Sequence, residues 1–288
     1  MDEGQQSRPS LIERLPTELV CMVLSALPDV MSLQAAALSC PLFYSAFMGA
    51  KTSTTTAILL KQLDISVLPT AIAASESAEF SHTYNLGPQR LEAFEEFMAR
   101  HFNPQQQPTL PKSLSLNKAL RIERLHSGVE QWAKQSIEDP TYPHDPSSGP
   151  DLTYEDVCRT QRALYRREAY CNLFGEAIMM QPHEYVDKRR RFTLNFPQES
   201  DTYEFILRFI HEALWPVFDI ILNRISWNEY KHKIVGYSPF YSEVFMIGVL
   251  GLDLEKLRRI VMAETEEDRA RVLANIRVRA PRISSSKK

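Results

Sequence analysis

Residues 15–44 read LPTELVCMVLSALPDVMSLQAAALSCPLFY, and the spacing of apolar residues in this stretch decides the fold. Leu15, Leu19, Val23 and Leu27 recur every four residues with Leu24 beside them, which makes one apolar stripe of an α-helix. Pro16 suits the first turn, where its missing N–H costs no hydrogen bond, and Glu18 complements the positive end of the helix dipole. Pro28-Asp29 stops this helix and caps the next, whose stripe is Val30, Leu33, Ala37 and Leu38. Cys40-Pro41 breaks the pattern again. Phe43, Tyr44 and Phe47 form a third stripe, and Gly49 closes the unit. Three helices in about thirty residues are too little chain to bury all of their own apolar surface. Such a segment wants a partner, and it points to binding rather than to chemistry.

Outward from this stretch, the pattern stays helical. Residues 52–56 read as a polar linker, 57–68 as a helix and 75–81 as a loop. The spacing predicts a helix over 88–102, with Leu91, Phe94, Phe97 and Met98 on one face. Residues 103–111 are a Pro- and Gln-rich connector. Residues 113–137 are helical in character, with Leu116, Leu120, Leu125, Val129 and Trp132 facing inward, and the proline-rich 139–150 segment is a loop. A long helix starts at Thr153, with Asp156 three residues on as a variant of the capping box. Val157, Leu164, Cys171 and Ile178 recur along it, and Arg159, Arg162, Arg166 and Arg167 are assigned to its surface. Further helices are expected over 200–224, with Ile206, Phe209, Ile210 and Ala213 inward, and over 241–250, 254–262 and 266–277. Residues 1–10 and 284–288 read as disordered tails. The expected fold is all-α: a three-helix unit over 11–50, followed by a larger irregular helical domain over 51–283.

Bulk composition narrows the function classes. At 44% hydrophobic and 24% charged residues, the chain has the make-up of an ordinary globular protein. Nine glycines are too few for a fold punctuated by hairpins. A net charge of −3 argues against coating nucleic acid or an acidic membrane through the overall field. The run 244–252 is too short to span a bilayer, and no signal-peptide layout is seen at the start. The expected location is the cytosol, the nucleus or both. Cys21, Cys40, Cys158 and Cys171 lack any CxxC or zinc-ligand spacing and read as buried free thiols.

No pattern calls for a cofactor or a metal. His211-Glu212 and His183-Glu184 lack the second histidine of a zinc-helix motif, since Trp215 and Asp187 stand there. Phosphate-loop, dinucleotide and nucleophile-elbow patterns are missing too. Lys188-Arg189-Arg190-Arg191 reads first as a solvated connector and second as a nuclear-import or phosphate patch. The charges from Arg269 to Lys288 are all basic, while acids predominate from Asp253 to Asp268; this asymmetry reads first as neighbouring faces that satisfy each other or as acids and bases at opposite helix ends, and second as a weak nucleic-acid contact. Trp215, Phe218, Trp227, Tyr230, Tyr237, Phe240 and Tyr241 read as core, with the 236–239 turn able to present Tyr237 and Phe240.

Leu15-Pro16-x-Glu18-Leu19, Leu27-Pro28-Asp29, Ser32-Leu33, Leu38-Ser39-Cys40 and Phe43-Tyr44 together resemble an F-box, over roughly residues 11–50, and more loosely the divergent F-box-like families of fungi. The sequence departs from the family pattern at Pro41 and Leu42, where a basic residue is common, and at Phe43, where tryptophan is common. The resemblance implies docking on a Skp-type adaptor and, through it, a cullin–RING ubiquitin ligase, with the rest of the chain selecting an unknown protein substrate. It implies no catalysis by this chain. The adaptor-binding residues it designates are Leu15, Pro16, Glu18, Leu19, Val23, Leu24, Leu27, Leu33 and Leu38. The alternative is a helical scaffold or interaction protein with a relict F-box and no role in ubiquitylation. A third class, an enzyme, requires clustered titratable groups with shifted pKa values in a pocket.

Overall fold

The computed structural model describes residues 15–80, 88–102, 114–143, 153–174, 200–223, 252–263 and 265–275. Among these, every regular element is a helix, so the chain is all-α. The expected tails, the 103–111 connector, most of the 139–150 loop and the 241–250 helix lie outside the described residues. The chain forms two compact units, one from 1–68 with 109–124 and one from 69–108 with 125–288.

The first unit is built on three helices, α1 (Thr17–Ala26), α2 (Val30–Ser39) and α3 (Pro41–Leu59). Pro16 sits one position ahead of α1 rather than inside it, and its carbonyl accepts from the Leu19 and Val20 N–H groups. Asp29 caps α2 as its position implied: its carboxylate accepts from the Ser32 N–H at 2.6 Å. Cys40 is extended, and Pro41 occupies the first position of α3, where a proline is tolerated best. α1 and α2 each pack on α3. Their shared interior is Val20, Leu24, Val30, Leu33, Ala37, Ala46 and Phe47.

Residues 52–56 are not a linker. α3 runs through them with one non-helical residue, Ala50, at φ −123° and ψ 21°. Thr54 and Thr55 are buried there. The Thr55 hydroxyl donates to the Lys51 carbonyl at 2.6 Å, so the helix itself satisfies it and the methyl is left to pack in the interior. The helix expected over 57–68 is likewise divided: α3 ends at Leu59, turns carry the chain to Val67, and α4 (Leu68–Ser77) follows, running into the first three residues of the expected 75–81 loop.

Two side chains from beyond the three helices close this unit. Lys61 Nζ donates to the carbonyls of Ser25 and Leu27, both at 2.7 Å, and places a positive charge at the negative end of α1. Glu123, on the opening turns of α6 (Leu116–Ile137), accepts through Oε1 from the Val30 N–H at 2.7 Å and from Gln62 Nε2 at 3.1 Å.

The second unit holds α4, α5 (Pro88–His101), the remainder of α6, α7 (Tyr154–Phe174), α8 (Ser200–Asn223), α9 (Leu254–Val261) and α10 (Glu266–Asn275). α7 is its centre, with Cys158, Ala163, Leu164, Tyr165, Ala169 and Phe174 buried. Thr153 and Asp156 open it reciprocally. The Thr153 hydroxyl accepts from the Asp156 N–H at 3.2 Å, and Asp156 Oδ2 accepts from the Thr153 N–H at 3.0 Å. Arg167 is not on the surface as the spacing suggested. It is 1% exposed, and its guanidinium is bonded inside the unit. α8 contributes Phe205, Ile206, Ile210 and Leu214 to the interior. Aromatic edges lock the packing: Phe94 meets Phe174 with centroids 6.2 Å apart, Trp132 meets Phe209 at 6.2 Å, and Tyr142 meets Phe205 at 5.3 Å.

Glu123→Ala leaves the Val30 N–H without its acceptor. The change is expected to lower the unfolding free energy by about 1–3 kcal/mol, read by urea denaturation followed by far-UV circular dichroism.

Candidate functional site

α1 carries two apolar stripes side by side. Val20 and Leu24, one turn apart, face the interior and are fully buried. Leu15, Leu19 and Val23, also at four-residue steps, are exposed, and Met22 beside them is 66% exposed. α2 repeats the arrangement. Val30, Leu33 and Ala37 face inward, whereas Met31 and Leu38, seven residues apart, face out, with Leu38 69% exposed. On α3, Phe47 is buried while Tyr44 and Met48, one turn apart, are open.

The sequence-designated residues therefore fall into two groups. Leu15, Pro16, Glu18, Leu19, Val23 and Leu38 are exposed, and Leu27 is half-buried. Leu24 and Leu33 are corrected to core: each is 0% exposed and offers no surface to a partner. The physical reason is that a helix with apolar residues at both i and i+1 presents two stripes about 100° apart, and only packing decides which one turns inward. Met22, Met31 and Met48 belong to the outer set and were not singled out from the sequence, and Tyr44, read there as part of the third stripe, is exposed with them. The signal for Met22 and Met48 was present in the i, i+3 spacing of Leu19 to Met22 and the i, i+4 spacing of Tyr44 to Met48.

The electrostatics of this surface are simple. Glu18 and Asp29 are the charged residues between positions 15 and 50. Asp29 is committed to capping α2, and Glu18 stands exposed in the first turn of α1. A surface rich in methionine adapts its shape to a partner more easily than one of branched side chains. The half-buried Cys21 Sγ lies 3.5 Å from the Ala46 carbonyl, and half-buried Cys40 joins α2 to α3. These two are thus less enclosed than expected, whereas Cys158 and Cys171 are buried, and all four are free thiols.

Shifted titratable groups gather elsewhere, on α7. Burial pushes Tyr165 well above its ordinary range, Cys171 up to about 11 and Glu168 up to about 7. The Tyr165 hydroxyl and His126 Nδ1 are 3.0 Å apart, with their rings stacked. Among the described residues, no three His, Cys, Asp or Glu side chains converge on a metal position. No described helix is long and apolar enough to cross a membrane. The charges of α9 and α10 pair locally, Glu255 with Arg258 and Arg259, and Asp268 with Arg271. His211 is half-buried on α8. The 188–191 basic run, the 236–239 turn, His183 and the basic residues after 275 lie outside the described residues, as do the side chains of the 215–241 aromatic set.

The two stripes of α1 separate by mutation. Leu24→Ala is expected to cost about 2–5 kcal/mol as a cavity-forming core change. Leu19→Ala is expected to stay within about 0.5 kcal/mol of the parent in the same urea titration. Comparison with protein-family models, curated proteins and solved structures returns no match for this chain.

Proposed function

We propose that this chain is a substrate-receptor subunit of an SCF-type cullin–RING ubiquitin ligase. In this reading α1–α3 dock on a Skp-type adaptor, and the second unit recruits a protein target. The chain performs no chemistry of its own. It raises the effective concentration of the target near the ubiquitin-carrying enzyme, and it works in the cytoplasm, the nucleus or both. The observation that carries the proposal is the outer apolar stripe of α1, Leu15, Leu19, Met22 and Val23, left open on a unit whose ordered sequence punctuation resembles an F-box. Burying each such side chain in a partner groove contributes roughly 1.5–3 kcal/mol before ordering entropy is subtracted.

A second reading, a helical scaffold with a relict F-box and no ubiquitylation role, draws on the Pro41-Leu42-Phe43 departure. It expects the same fold and no adaptor.

Affinity purification of the intact chain distinguishes the two. A Skp-type adaptor and a cullin are expected to co-purify. Leu19→Glu with Val23→Glu is expected to weaken adaptor binding at least tenfold with an unchanged circular dichroism spectrum, because both positions are exposed in the free chain. Undiminished binding by that variant rules out this face. Absence of any adaptor rules out the ligase role.

A further inference from the structure

The turn at 252–254, which leads into α9, is held by three buried side chains from α6 and α7. Arg167 Nη2 donates to the Leu252 carbonyl at 3.1 Å. Glu168 Oε2 accepts from the Leu254 N–H at 2.8 Å. Trp132 Nε1 donates to the Leu254 carbonyl at 3.3 Å. Two consecutive ionisable residues of α7 are thus spent on the backbone of one turn, and both are nearly sealed, at 1% and 5% exposure. Behind the turn, Leu254, Leu257 and Ile260 anchor α9 in the interior.

Glu168 is the one carboxyl among these three anchors. Among the described residues, Arg167 on α7 and Lys256 on α9 favour its ionised form, while Asp253, which caps α9, disfavours it. Cys171, one turn along α7, is a neutral thiol, and α6 contributes the uncharged Trp132. Burial outweighs the Leu254 hydrogen bond and the two cations, so the carboxyl is raised from 4.5 to about 7.

We propose that Glu168 is a proton-controlled latch on the start of α9: neutral, it keeps the 252–254 turn seated on α6 and α7; ionised, it favours release of that turn into water. The sign follows from proton linkage. The seated state binds the proton more tightly than the released state, in which Glu168 is solvated. Seating is therefore fully favoured below about pH 4.5, weakens as pH rises toward 7, and levels off above it. Across that window the opening constant rises on the order of 10²-fold. Release uncovers the Leu254, Leu257 and Ile260 stripe.

The test is hydrogen–deuterium exchange of the intact chain between pH 5 and pH 8, corrected for intrinsic exchange. Peptides over 252–261 are compared with a reference from 119–133. Protection of the 252–261 peptides is expected to fall some tens of fold across this range while the reference holds. In Glu168→Gln, which stays neutral and keeps an acceptor for Leu254, the fall is expected to vanish. Carbon-13 carboxyl NMR on the unsubstituted chain supplies a reading that does not depend on the variant folding. One glutamate is expected to titrate near neutrality with the midpoint of the exchange change. Protection that is flat with pH, an equal fall in Glu168→Gln, or glutamates that all titrate in the ordinary range overturns the latch.

Discussion

The mutual burial of one apolar stripe from each of α1, α2 and α3 is the constraint on which the N-terminal unit depends. α1 and α2 are ten residues each. Helices of that length do not persist alone in water, because nucleation is costly and few hydrogen bonds follow it. They exist here because Val20, Leu24, Val30, Leu33 and Phe47 close on one another. Once that core is filled, three short helices have no further layer with which to cover the opposite sides. The Leu15, Leu19, Met22 and Val23 stripe stays outside for this reason, and so do Met31, Leu38, Tyr44 and Met48. The proposed docking role uses what the core leaves over. Lys61 and Glu123 then fix the ends of α1 and α2 from outside the three helices, so the working unit is larger than the segment that resembles an F-box.

The second unit solves a different problem. Its central helix α7 is buried almost all round and carries Asp156, Arg167 and Glu168 inside. Burying ionisable groups costs several kcal/mol each unless hydrogen bonds replace the lost water. Each of these three has been given a specific polar partner. Asp156 receives the Thr153 N–H and Arg159, Arg167 reaches the Leu252 carbonyl, and Glu168 takes the Leu254 N–H. The last two bind the C-terminal helices to the centre through backbone groups rather than through apolar contact alone. That choice makes the attachment of α9 directional and sensitive to protonation, which plain burial of leucines would not.

Much of the fold was legible from local chemistry. Pro28-Asp29 marked the break between α1 and α2 because proline stops a helix and aspartate caps one, and Thr153 with Asp156 marked the start of α7 for a similar reason. Misreadings arose where a polar side chain satisfied itself out of sight. The 52–56 threonine run looked like a linker, yet a threonine whose hydroxyl bonds back to its own helix packs as a small apolar residue. Arg167 looked like a surface residue, since nothing nearby in sequence announces a carbonyl at Leu252 as its partner. For the candidate site, the apolar richness of α1 was plain, but its division into an inner and an outer stripe was not. Leu24 and Leu33 were grouped with Leu19 and Val23 although packing sets them apart.

The sequence by itself determined that the chain is helical, where most helices begin and end, and that its N-terminal helices hold more apolar surface than they can hide. These follow from periodicity, capping and length, which act within a few residues. Only the tertiary structure decided which stripe of each helix is core, that Glu123 and Lys61 complete the N-terminal unit, and that Arg167 and Glu168 hold the turn before α9. Those outcomes rest on contacts between residues far apart in the chain, and a local pattern carries no information about which distant group will arrive to meet it.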